Sequence, residues 1–300
     1  MNRRLPSPPR DCGPIALDSS PGRFNASQYD EQAIEAERDA LQRLGWLKGP
    51  GQRRAALLAL VAAPGNVREQ AAWRETTSDL PDAQRVHADV GRLSRAARMP
   101  VYEALLGRMR GAPLQERQTL VRGARTVMRA DGQVGPLDLL RWLLMRHRLG
   151  ESARVVATSR EHDPGRLSLA HLLAVVRLTA FLARVVPEAD REAVIGVEGR
   201  LWFELALHPW RAPLHDLGGL SALCRAPDVD ALLASLHDVQ GLSWMLRPVL
   251  VRAWADAAAS VHSHAPLNDD ATDALRCIAA LLDSPLPPLL SRRYRETGWD

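Results

Sequence analysis

From about residue 28 onward, apolar positions recur at three- and four-residue spacing, and glycine or proline interrupts them every 10–20 residues. That pattern predicts helices over 28–44, 52–63, 67–78, 82–98, 101–110, 114–130, 137–148, 167–186, 188–207, 228–238, 243–263 and 268–282. No alternating run of β-branched residues reaches strand length. The fold class expected is therefore all-α, a multi-helix bundle. Pro100, Pro113, Pro136 and Pro187 suit helix starts, where a missing N–H costs nothing. Asp82 and Asn268 have the side chains of N-caps, and Gly111 and Gly150 suit helix stops. Residues 150–165 read as a hinge, and 209–219 as a second irregular stretch.

Two predicted helices carry further information. In 114–130, Leu120, Ala124 and Val127 fall on one stripe, while Arg122, Arg125 and Arg129 fall on the opposite face. The arginine row is either a solvated face or a surface that binds a polyanion or a partner. Residues 167–186 form the most apolar stretch, just long enough to span a bilayer. His171, Arg177 and Arg184 interrupt it, so a core helix with one wet edge fits better than a span.

Composition narrows the class. The chain has 300 residues, 46% apolar and 25% charged, which excludes a disordered chain, a collagen or a disulfide scaffold. Cys12, Cys224 and Cys277 read as reduced thiols of a cytoplasmic protein. Of 39 basic residues only Lys48 is a lysine. Arginine forks onto carboxylate and phosphate, although a GC-rich bacterial genome gives the same bias. Residues 92–154 hold thirteen arginines against five carboxylates, a net of +8 in a chain whose total is +4. Residues 1–27 are rich in Pro, Ser and Arg and read as a flexible tail without an apolar signal core, whose composition alone also suits a docking or secretion segment.

Between 114–130 and 137–148 lies Ala130-Asp131-Gly132-Gln133-Val134-Gly135-Pro136-Leu137-Asp138, a tight loop between two apolar helices. Residues 99–150, with this loop at their centre, resemble the TerB-like helical region that lies C-terminal to the protease domain in bacterial membrane zinc peptidases of the HtpX type. Residues 246–290 resemble the end of that region through Arg247-Pro248, Asp269-Asp270, Leu275-Arg276 and Pro285 to Leu290. Leu120-Val121-Arg122 and Leu250-Val251-Arg252 open similar segments, which suggests an internal duplication. The domain organisation implied is a tail at 1–27, an N-terminal helical subdomain at 28–98, a TerB-like region at 99–290 and a C-terminal tail at 291–300.

The sequence departs from that family in ways that bear on function. It lacks His-Glu-x-x-His and the family's membrane spans, so the protease chemistry is not carried over. If the TerB-like module binds a divalent cation, Asp131 and Asp138 are the matching residues; two carboxylates would bind it weakly, and both also suit helix caps. His262 and His264 with Asp269 and Asp270 have donor types for zinc or nickel, but they belong to a polar loop. No nucleophile elbow, phosphate loop or dinucleotide fingerprint occurs, so no enzyme and no cofactor are expected. Trp210 and Trp299 fall in irregular segments and are candidate interface anchors. The function expected is a non-catalytic interaction or adaptor module, cytoplasmic or peripheral to the membrane. It would regulate a membrane-associated or stress-response system through a protein partner, a membrane protein among the options. The alternatives are nucleic-acid or other polyanion binding through 92–154, and a weak metal sensor at the Asp131 loop.

Overall fold

A computed structural model describes residues 26–150, 155–188, 195–210, 214, 220–261 and 267–299. The described residues are all-helical, with no strand among them. The helices are α1 (Ala26–Gly45), α2 (Pro50–Val61), α3 (Val67–Thr76), α4 (Ala83–Gly91), α5 (Arg95–Met109), α6 (Leu114–Met128) and α7 (Pro136–Leu149), then α8 (Leu169–Leu182), α9 (Val197–Ala206), α10 (Val229–Gln240), α11 (Leu246–Val261) and α12 (Asp269–Leu281). Short helical turns occur at Leu220–Leu223 and Pro288–Ser291. The expected tail at 1–27, apart from its last two residues, lies outside the described residues, as do His262, His264 and Cys12.

The first half is organised around α2. From Ala55 to Val61 every side chain is buried, because the run Ala-Ala-Leu-Leu-Ala-Leu-Val is apolar on all faces. Helices α3, α4, α5 and α6 pack around it, and α1 lies on α4. Burial of Leu57 or Leu58 contributes about 1.5–3 kcal/mol. Trp73 of α3 donates its indole N–H to the Ala55 carbonyl at 3.1 Å. Residues 98 and 99, where a subdomain boundary was expected, lie inside α5, which packs on α2.

Local corrections have identifiable causes. The helix expected over 82–98 breaks at Arg92, where the N–H groups of Arg92 and Leu93 turn back to the carbonyls of Asp89 and Val90. The Ser94 N–H at the start of α5 donates to Glu37 of α1 at 2.7 Å. Pro100 does not start a helix; it sits inside α5. Proline cannot donate to the carbonyl four residues back. The carbonyl it leaves, that of Ala96, accepts instead from the Arg295 N–H at 3.1 Å. Asp82 precedes α4 but its side chain makes no cap; its backbone is left-handed, with φ 63°. Pro187 does not open a helix either, since α9 begins at Val197. Asn268 caps α12 as expected, accepting from the Asp270 N–H at 2.8 Å.

In the second half, α10 lies along α8 and α9 lies on α11. The expected apolar stretch is the buried helix α8, with Arg177 at its exposed edge and the Arg184 guanidinium over the Phe181 ring. No described helix is long and apolar enough to cross a membrane. The interior is tied by a chain of hydrogen bonds. The Trp202 indole donates to the Trp254 carbonyl at 3.0 Å, the Trp254 indole donates to the Thr179 hydroxyl at 3.0 Å, and that hydroxyl donates to the Val175 carbonyl at 2.7 Å. Helix α9 approaches so closely that a Cβ at Gly199 would sit 2.2 Å from the Ala183 carbonyl oxygen, which only glycine allows. Part of the expected hinge, residues 155–163, is irregular but anchored: Thr158 and Ser159 both donate backbone N–H groups to the Gly241 carbonyl at 2.9 Å.

Helix α12 joins the halves. It packs on α7 and α11, and its residues from Ala271 to Ala279 are buried. The chain after it turns back across α12 to α5 and α1. Tyr294 donates to Asp273 at 3.0 Å, and Arg295 pairs with Glu37 at 2.7 Å. Trp299 ends this return against Gly45, with the Arg108 guanidinium 5.0 Å from its ring centre. The stretch expected as a C-terminal tail is thus part of the packed body.

Candidate binding face

Helix α6 places its side chains as its spacing demands. Leu120, Ala124 and Val127 are buried against the α2 bundle, and Arg122, Arg125 and Arg129 are exposed on the opposite side. None of the three arginines pairs with a carboxylate among the described residues. The outer side of α6 and the end of α7 enclose an open groove of about 540 Å³. Leu114, Val121 and Leu149 form its apolar lining, and Arg117, Arg122 and Arg146 bring three guanidinium groups to it. Arg117 is fixed, donating to the last α7 carbonyl, that of Leu149, at 2.7 Å. Arg146 stands in the last turn of α7, where a cation suits the helix dipole, with its guanidinium 5.5 Å from the centre of the Trp142 ring.

Beyond Arg146 and Gly150 lies a second cleft, of about 370 Å³, where α7 meets α10. Leu143, Leu233 and Leu236 line it with His147 and His237. Burial, and then the neighbouring Arg148, push His147 below the ordinary histidine range. The two clefts share Arg146 and Gly150, so they adjoin at the C-terminal turn of α7.

The Asp131 loop has a different role. Gly132 takes the left-handed conformation, with φ 86°, and the Asp131 carboxylate accepts from the Gln133 N–H at 2.9 Å. Its other oxygen accepts from Asn66, the cap of α3, at 2.9 Å. Asp138 caps α7 by accepting from the Gly135 N–H at 3.1 Å. Glu69 lies beside them, and burial first, then the charges of Asp138 and Asp131, raise its carboxyl above the ordinary range. A hard cation wants six or more oxygens, and here each aspartate is engaged by N–H donors that hold turns together. Among the described residues, no group of three or more His, Cys, Asp or Glu side chains is placed to hold a metal ion. In the described structure Asp131 and Asp138 act as a turn and a cap.

The two tryptophans expected at an interface are turned inward. Trp210 is fully buried, in a short helical turn at His208–Trp210. Trp299 is occupied by Gly45 and Arg108. The exposed tryptophans are instead Trp46 and Trp244. Among the described residues two serine–histidine contacts occur, Ser243 with His162 at 2.9 Å and Ser168 with His171 at 2.8 Å. Ser243 is 1% exposed and cannot meet a substrate. Arg117, Arg146 and Leu149, which complete the groove, were missed in the sequence because they meet only when α6 and α7 fold against each other. The basic last turn of α7, Arg146-His147-Arg148, was the one local sign of it.

Comparison of the chain with family models, with curated proteins and with solved structures gives no match.

Proposed function

We propose that this protein is a non-catalytic helical interaction module, an adaptor that holds a protein partner on the face made by α6 and the end of α7. One observation carries this reading: an open groove with an apolar lining and three guanidinium groups that have no carboxylate partner among the described residues. A solvated helix face needs no such lining, and a substrate pocket would be more enclosed and would hold convergent acid, base or nucleophile groups. The resemblance to the helical region of membrane peptidases adds a context, a cytoplasmic or membrane-peripheral partner in a membrane-associated or stress-response system.

A second reading is polyanion binding by Arg122, Arg125 and Arg129, favoured by their exposure on one side of α6. Affinity capture from the native host, with membranes solubilised, tests both. The adaptor reading expects a stoichiometric protein partner that is retained by the wild type and lost by an Arg122→Glu, Arg146→Glu double variant. Retention of the same proteins by both forms would overturn it. Nucleic acid that elutes steeply with salt, in place of protein, would establish the second reading.

A further inference from the structure

Resting on the interaction reading above, we infer that the occupant of the α6–α7 groove is an acidic amphipathic helix of a partner protein. It presents an apolar stripe to Leu114 and Val121, over the buried Leu149, and carboxylates to the flanking arginines.

The length of the groove fits such an occupant. Leu114 and Val121 are seven residues apart on α6, about 10 Å along its axis. That is two helical turns, the repeat over which a docked helix places its i, i+3 or i+4, and i+7 side chains. Charge supplies the selectivity. Arg122 approaches from α6 and Arg146 from α7, so cations stand on both walls of one apolar trough. A carboxylate on either flank of the incoming helix meets a guanidinium, and the apolar stripe between them is removed from water. Arg117 adds a third cation, pre-positioned by its bond to the Leu149 carbonyl.

The same features disfavour other occupants. A single nucleic-acid strand stacks on aromatic platforms, and no aromatic side chain lines this groove among the described residues. A second copy of this chain paired groove to groove would bring the same arginines to the same place, and like charges would repel.

Selection of random peptides of roughly 12 residues, displayed on phage against the full-length protein, tests the inference. The winning peptides, labelled with fluorescein, are then titrated by anisotropy. The expected winners carry at least two Asp or Glu residues flanking Leu, Ile or Phe at helical spacing. Their affinity should fall at least roughly tenfold in Arg122→Glu, Arg146→Glu, and by a smaller factor in Val121→Ser. Only the first variant should lower the salt dependence. Arg122 and Arg146 are exposed, so unchanged melting of the double variant checks that it is folded.

Winners without acidic residues, or winners that bind both variants as well as the wild type, would overturn this inference. If the host partner is still lost from the double variant, the interaction reading survives that failure. If the partner is retained as well, both fall. A single-stranded oligonucleotide or an anionic phosphatidylserine vesicle that binds more tightly than any peptide, with the same loss in the double variant, would also overturn the inference.

Discussion

The arginines around α12 and those on the outer face of α6 share a side chain and have opposite surroundings. Around α12 they are paired. Arg141 meets Asp273 at 3.0 Å, and Asp273, itself 3% exposed, also accepts from Tyr294. Arg95 bonds Asp270, and Arg276 pairs with Glu103 at 2.8 Å and Glu296 at 2.9 Å while covering the Tyr294 ring. On α6, Arg122, Arg125 and Arg129 project into solvent with no such partners among the described residues. A guanidinium removed from water must recover its hydration from a carboxylate or a carbonyl, whereas an exposed one stays hydrated and available. The difference separates arginines that hold the two halves together from arginines that can meet another molecule.

The largest effect that could break this comparison is at Asp273. Replacing it with alanine leaves the buried Arg141 guanidinium only the more distant Asp138, 3.9 Å away, and the loss expected is about 3–5 kcal/mol. Urea denaturation measures it, and a loss below about 1 kcal/mol would mean that the buried pair matters no more than a surface one. Next comes Arg276→Met, which keeps the aliphatic packing on Tyr294 and removes both glutamate pairs. Its expected cost is about 1–3 kcal/mol, less than that of Asp273→Ala because Glu296 is well exposed. The opposite outcome is expected on α6. Changing Arg122, Arg125 and Arg129 together to glutamine should leave stability within about 0.5 kcal/mol by the same assay, because each is solvated in both states. A larger loss would show that the outer row is structural after all.

The smallest effect lies in pH dependence. His87 packs against the Trp73 ring, with centres 4.4 Å apart, and burial, then Arg98 and Arg74, lower its pKa from 6.5. Arg98 is itself pushed down to about 10, by burial and by the cations Arg141 and Arg95. A group whose pKa is lowered on folding contributes stability above its unfolded value and loses it as pH falls through its folded value. From pH about 6.5 downward, the melting temperature of the wild type should therefore fall relative to that of His87→Gln. Arg98→Gln should move the His87 proton titration, followed by NMR, back toward 6.5; an unmoved midpoint would show that the interior cations do not reach it.

Much of the architecture was legible in local order. Every helix expected from apolar spacing has a counterpart among the described residues. The inward and outward faces of α6 follow from Leu120, Ala124 and Val127 standing opposite the arginines, and Asn268 and Asp138 cap as their positions suggest. These features depend on neighbours within about one turn, so a linear reading reaches them. The groove was half legible. Arg122 could be named from α6 alone, whereas Arg146 and Leu149 join it only through the packing of α7.

What the amino-acid order determined by itself is the approximate placing of the helices, the caps at Asn268 and Asp138 and the apolar face of α6. Tertiary structure decided the rest. The break at Arg92 depends on Glu37 accepting from the Ser94 N–H across 57 residues. Pro100 is tolerated inside α5 because the Arg295 N–H takes the carbonyl it leaves. Trp210 and Trp299 stand in segments that look irregular in one dimension, yet folding buries the first and seats the second on Gly45. Which arginines are paired and which stay free is likewise a matter of what another helix brings near. A hydrogen bond or ion pair is satisfied by whatever group lies within reach in space, and distance along the chain does not set that reach.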